Sequence, residues 1–164
     1  MQLRTRRLVL SSAVVLGLVI GLAGSVLAQA SAPHIGTWKG NVAKSKFAAG
    51  TATVSFSTKV EAVGTGARST VDSATAAGTV RHWSYTTNYD GKDVAITGNS
   101  QYGDTVAVSR VDANTSRSVY KLKGVITVTQ TTVVAADGKT RTVATKGKNA
   151  LGVAVDNVNF YDKQ

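Results

Sequence analysis

Apolar and polar residues alternate along much of this chain. Over residues 52–62, Ala52, Val54, Phe56, Val60 and Ala62 fall on one side. Thr53, Ser55, Ser57, Lys59 and Glu61 fall on the other. A two-residue period with one polar face predicts an antiparallel sheet wetted on one side. Val106 and Val108, set against Thr105 and Ser109, repeat the pattern. Residues 124–134 are apolar on both faces at their start, which predicts a central strand. No long window carries the 3.6-residue spacing of an amphipathic helix.

Turn residues divide these runs. Gly64-Thr65-Gly66 ends the strand begun at residue 52. Asp90-Gly91 separates residues 83–89 from 94–96, and Asp137-Gly138 separates 125–134 from 140–145. Asp-Gly between alternating runs predicts a hairpin, because a type I′ turn needs positive φ at both central residues. Asp112-Ala113-Asn114-Thr115 is a further turn, whose Asx side chains can bond their own backbone. The spacing predicts roughly nine or ten strands in a barrel or a sandwich. Composition agrees: Val and Thr abound, and the single Pro is Pro33.

The N-terminus reads as an export leader. Arg4, Arg6 and Arg7 precede an apolar stretch at residues 8–28, and Ala28-Gln29-Ala30 matches an A-x-A cleavage pattern. Residues 1–30 are therefore expected to be a signal peptide, cleaved after Ala30 or after Ala28. An uncleaved anchor is the alternative, since the stretch is long enough to cross a bilayer. Arg6-Arg7 also fits the start of a twin-arginine signal. Residues 31–164 remain as a single domain, secreted or periplasmic. The chain has no cysteine, so its core must hold without disulfides. Three of the 19 basic residues belong to the leader, so 16 face 9 acidic residues in the rest of the chain. A moderately basic surface suits anionic lipid or polysaccharide, or simply solubility.

Ile35-Gly36-Thr37-Trp38-Lys39 opens the expected domain, and Val158-Asn159-Phe160-Tyr161-Asp162-Lys163 closes it. Gly-x-Trp on a first strand resembles the calycin group of lipocalins, fatty-acid-binding proteins and avidins. Gly-Thr-Trp-Lys and the final strand resemble the fatty-acid-binding branch most. The resemblance implies an antiparallel up-and-down barrel of about eight to ten strands, with Trp38 closing one end. In that branch an Arg stands two residues before the final Tyr, where this chain has Asn159. Residues 38–47, with Tyr89-Asp90-Gly91-Lys92, are also similar to small exported bacterial proteins of no assigned function.

Candidate chemistry is sparse. His34 is expected to fray at the domain's start, and His82 to face solvent or be hydrogen-bonded. A lone His without Cys is no metal site. No Gly-x-Ser-x-Gly elbow is present, so neither catalysis, a cofactor nor a metal is expected. Trp83 and Tyr85 share one strand face, and Arg81 lies on it near the strand's start. Phe56, Arg81, Trp83, Tyr85 and Tyr120 are the candidate ligand-binding residues, with Arg81 at the barrel mouth to meet an acidic head group. The expected core is Trp38, Val54, Phe56, Val60, Trp83, Tyr85, Val106, Val108, Tyr120, Leu122, Ile126, Val128 and Phe160. Lys121, Lys123, Lys139 and Arg141 are the candidate basic outer face.

Two functions follow from different classes. One is an exported, non-enzymatic binding module of the cell envelope with an apolar ligand inside the barrel. The other is an interaction protein with a filled barrel, whose basic face touches anionic lipid or polysaccharide. Nucleic acid is not the expected partner, and the oligomeric state is left open.

Overall fold

The computed structural model describes residues 33–164. The expected leader, residues 1–30, lies outside the described residues. Among the described residues the protein is all-β and contains no helix. Its strands are β1 (Gly36–Lys46), β2 (Ser55–Val63), β3 (Gly66–Ala74), β4 (Val80–Thr87), β5 (Asp90–Ala95), β6 (Thr97–Gly98), β7 (Thr105–Arg110), β8 (Thr115–Leu122), β9 (Val125–Val134), β10 (Thr140–Lys148) and β11 (Ala154–Lys163).

All eleven belong to one antiparallel sheet, in the order β5-β7-β8-β9-β10-β11-β1-β2-β3-β4-β6. From β7 the chain meanders to β11, which pairs back onto β1 through Trp38↔Lys163 and Asn41↔Phe160. That long-range pairing curls the sheet into a nearly closed barrel. A seam remains where β4 packs beside β5 and β7 without a ladder.

Local turn chemistry explains most of the meander. Gly64-Thr65 joins β2 to β3, with Gly64 at φ 56°. Lys123-Gly124 joins β8 to β9, both at positive φ as a type I′ turn requires. Gly138 follows Asp137 at φ 68°, and the Asp137 carboxylate accepts the Lys139 N–H at 2.9 Å. Asp112 accepts the N–H groups of Asn114 and Thr115 at 2.8 and 2.7 Å.

The structure departs from the sequence reading in one strand pairing and at several core positions. Asp90-Gly91 does not join two paired strands. The chain turns just before it, at Tyr89 (φ 58°), and β5 pairs with β7 instead of β4. The edge of β4 goes to the two-residue β6, and one extra short strand raises the total to eleven. Asn99 extends that edge: its Oδ1 accepts the His82 N–H at 2.6 Å and its Nδ2 donates to the Val80 carbonyl at 3.0 Å.

The second departure is Val54, which is 55% exposed, because the ladder starts at Ser55 and the chain before it loses the alternation. The third is Ile126, 60% exposed together with Val125, since both stand at the barrel's rim beside the β8–β9 turn. The core phase of β9 begins at the fully buried Val128. The fourth is Phe160, which is only half-buried. On β11 the inward positions are Val155, Asn157 and Tyr161. Leu122 and Tyr85 are also only half-buried. The other expected core residues are buried, in two clusters centred on Trp38 and on Trp83.

Candidate functional site

One end of the barrel gathers the start of β1 and the turns after β2, β7 and β9. Trp38 is fully buried there and its indole N–H donates to the His34 carbonyl at 2.9 Å. His34 is itself buried, so the expected fraying does not occur. The Arg141 guanidinium lies 4.9 Å from the centre of the Trp38 ring and 4.4 Å from that of Tyr161. Arg110 stacks at 4.3 Å on Tyr89. The Lys163 ammonium sits 5.1 Å from the Trp38 ring. Phe56 meets Tyr161 edge-on at 4.9 Å, and Gly40 makes room for it, because a Cβ there would collide with the Phe56 ring.

At the opposite end Tyr102 folds inward from the loop after β6. It packs against Trp83 at 6.2 Å and Tyr120 at 5.3 Å. The Thr127 hydroxyl donates to the Tyr102 and Tyr120 carbonyls, and Ala150 N–H donates to the Gln101 carbonyl at 2.9 Å. Asn157 holds the segment after β1, accepting from Ala48 N–H and the Thr51 hydroxyl, each at 2.8 Å.

Between these ends runs a cavity of about 100 Å³. Its wall is unusually polar for a barrel core. Thr58, Ser69, Ser73, Ser116, Ser118 and Thr145 supply hydroxyls, alongside Tyr85, Tyr89, Tyr102, Tyr120 and Tyr161. The wall contains no Asp, Glu or Lys, and Arg141, only 6% exposed, is its single full charge. Burial, then the positive charges of Arg110 and Arg141, lower the His34 pKa to about 4, so His34 is neutral at pH 7. Burial raises the phenol of Tyr102 to about 12 and that of Tyr120 well above its ordinary value. Tyr102 and Tyr120 therefore stay protonated and able to donate.

Five wall residues carry a buried polar atom with no partner in the protein: His34 Nε2, Thr53 Oγ1, Ser73 Oγ, Trp83 Nε1 and Arg141 Nε. Buried polar groups are nearly always hydrogen-bonded. Each donor left unmade costs about 1–3 kcal/mol.

Of the candidate ligand residues, Phe56, Trp83, Tyr85 and Tyr120 line this cavity. Arg81 does not. It is half-buried beside Ser73, outside the wall, with Nη1 unpartnered. His82 is exposed and its Nδ1 lies 2.6 Å from Asp72. The proposed basic face does not assemble. Arg141 points into the barrel, in phase with buried Val143 and Thr145. Lys121 is bound by the Asp93 carboxylate at 2.7 Å. Opposite Lys121 stands Ile126 and opposite Arg141 stands Val134. Those two partners lie about 26 Å apart along β9, at roughly 3.3 Å per residue, so Lys121 and Lys123 stand at one end and Lys139 at the other.

Sequence reasoning missed Arg141, Tyr161, Tyr102 and His34 as wall residues. The alternation of Arg141 with Val143 and Thr145 carried the signal for the first. Tyr102 sits in an irregular loop and carried none. Comparison with protein-family models, with curated proteins and with solved structures finds no match to this chain.

Proposed function

We propose that this chain is an exported, non-enzymatic small-molecule binding module of the cell envelope, with its ligand inside the barrel. Export rests on the leader pattern of residues 1–30. The observation that carries the binding reading is the cluster of unpartnered polar atoms around one interior cavity. Unpartnered polar atoms and an unpaired buried cation cost a filled, purely structural barrel stability, whereas a bound molecule with matching groups satisfies them.

The wall also describes the ligand. A cavity of about 100 Å³ suits a small molecule, well below the roughly 300–1,000 Å³ of drug-sized pockets. A wholly apolar ligand would leave the hydroxyls and N–H groups unsatisfied. The fitting ligand is partly polar, lies along the tyrosine walls, and turns an acidic group to Arg141. A guanidinium withdrawn from water is strongly destabilising unless an anion pairs with it. Trp38 and Tyr161 offset part of that charge, but Arg141 Nε still lacks an acceptor. The calycin-like features, Gly36-x-Trp38 at the closed end above all, belong to the same reading.

Native mass spectrometry of the protein recovered from its own envelope tests it. A bound small mass is expected, lost in Ser118→Phe, which fills the cavity, and weakened in Arg141→Gln. A bare polypeptide mass in the wild type and in both variants would overturn the reading.

A further inference from the structure

We infer that the barrel end remote from Trp38 docks on an anionic lipid surface. Most of the strongly exposed large apolar side chains gather at this end. Val54, Val80, Val125, Ile126, Leu151 and Val153 are between 37% and 79% exposed. They occupy successive tips: the chain before β2, the start of β4, the start of β9 and the β10–β11 loop. The tips are neighbours in the fold. The Val54 N–H donates to the Ala74 carbonyl at 2.8 Å, and Ala74 pairs with Val80. Val153 approaches Gly50 on the segment before β2. Gly147 of β10 pairs with Val128 of β9, which brings the β10–β11 loop beside Val125 and Ile126.

Charge at this end favours an anionic surface. Lys46, Lys123 and Lys148 flank the apolar tips, and none enters an ion pair among the described residues. Of the acidic residues at this end, Asp104 in the loop before β7 accepts the Lys123 N–H at 3.0 Å, and Asp93 and Asp156 are paired with Lys121 and Lys146. At the Trp38 end the turns are mixed in sign, with Asp112 and Asp137 beside Lys139, and Asp90 paired with Lys92 at the start of β5. Apolar tips between lysines suit the interface of a bilayer, where aliphatic groups enter the acyl boundary and ammonium groups meet lipid phosphates. Scattered single apolar side chains would need no partner, but a rim of six does.

All eleven strands lie within residues 36–163, so the chain beginning at Ser31 retains the whole sheet. That chain is the one to test, because it leaves out the apolar stretch at residues 8–28. Sedimentation with vesicles of phosphatidylcholine containing phosphatidylglycerol should pull it down at low salt, with much less binding to phosphatidylcholine alone. Ile126→Ser with Leu151→Ser should weaken binding about tenfold, and Lys123→Glu with Lys148→Glu at least tenfold. Val111→Ser with Lys139→Glu, at the other end, should leave it unchanged. Failure of the wild type to bind anionic vesicles at low salt would overturn the inference, as would an equal loss in the control pair. Equal binding to soluble dextran sulfate, insensitive to Ile126→Ser with Leu151→Ser, would replace the lipid surface with a general polyanion. None of these outcomes bears on the interior site, which neutral-pH ligand binding reports separately.

Discussion

Trp38 shows how one residue can carry a barrel end. It is fully buried, its indole N–H is bonded to His34, and Arg141 and Lys163 press on its ring. Truncation would open a void, strip Lys163 of its aromatic partner and leave Arg141 with Tyr161 alone. Trp38→Ala should therefore cost roughly 3–5 kcal/mol in urea unfolding, as for other buried aromatic truncations. A loss within about 0.5 kcal/mol would mark the site as surface-like. Its burial was legible, because Gly-x-Trp opens a strand after the chain's only Pro. The inward aim of Arg141 is signalled by its alternation with Val143 and Thr145, but a charged residue two positions from Lys139 invites an outward reading. The ladder with β9 and β11 puts it beside Val134 and Tyr161.

At the scale of elements, the seam is the weak line of the sheet. β5 pairs on one side only, with a register irregularity between Asp90 and Asp93, and β6 covers two residues of β4. β9 and β10 are paired on both sides over most of their length. Amide protection reflects the free energy of local opening, and singly paired edges open first. Amides of β5 should exchange at least tenfold faster than those of β9 and β10. Equal protection would mean that the barrel is closed by a ladder in solution. The seam also explains a failed inference: Asp-Gly is a hairpin signal only when the strands beside it pair with each other, and here β5 found a partner farther along the chain.

The whole molecule converts its buried titratable groups into a pH window of stability. His34 has its pKa lowered from 6.5 to about 4 in the fold. Unfolded chains then bind the extra proton, so this contribution is complete above pH 6.5 and lost as pH falls towards 4. Tyr102 is raised from 10.0 to about 12, by burial first. Its contribution is complete below pH 10 and lost as pH rises towards 12, on the order of 3 kcal/mol at about 1.4 kcal/mol per unit. Tyr120, Tyr161 and Tyr89 are shifted in the same direction. The urea midpoint should form a plateau between about pH 6.5 and pH 10. His34→Gln should flatten the acid limb and leave the alkaline limb in place. An unchanged acid limb would show that His34 does not control it.

Local rules were enough to read this chain as an antiparallel β protein. They placed the turns at Gly64-Thr65, Asp112 and Asp137-Gly138, and the inward faces of Phe56, Val60, Trp83, Val106 and Val108. Each of those features depends on neighbours a few residues away, through a two-residue period or the φ preference of a turn residue. Tertiary structure alone decided the rest. Pairing of β1 with β11 joins residues more than a hundred positions apart, and no local pattern specifies it. Where a ladder begins decides whether Val54 faces in or out, because one lost step in phase exchanges the faces, and the height of the rim leaves Ile126 exposed although it shares the phase of Val128. Closure then turned one sheet face into an interior in which hydroxyls, phenols and Arg141 converge. A polar residue inside a barrel follows the same alternation as an apolar one, so only the closed fold distinguishes the wall of a site from the surface.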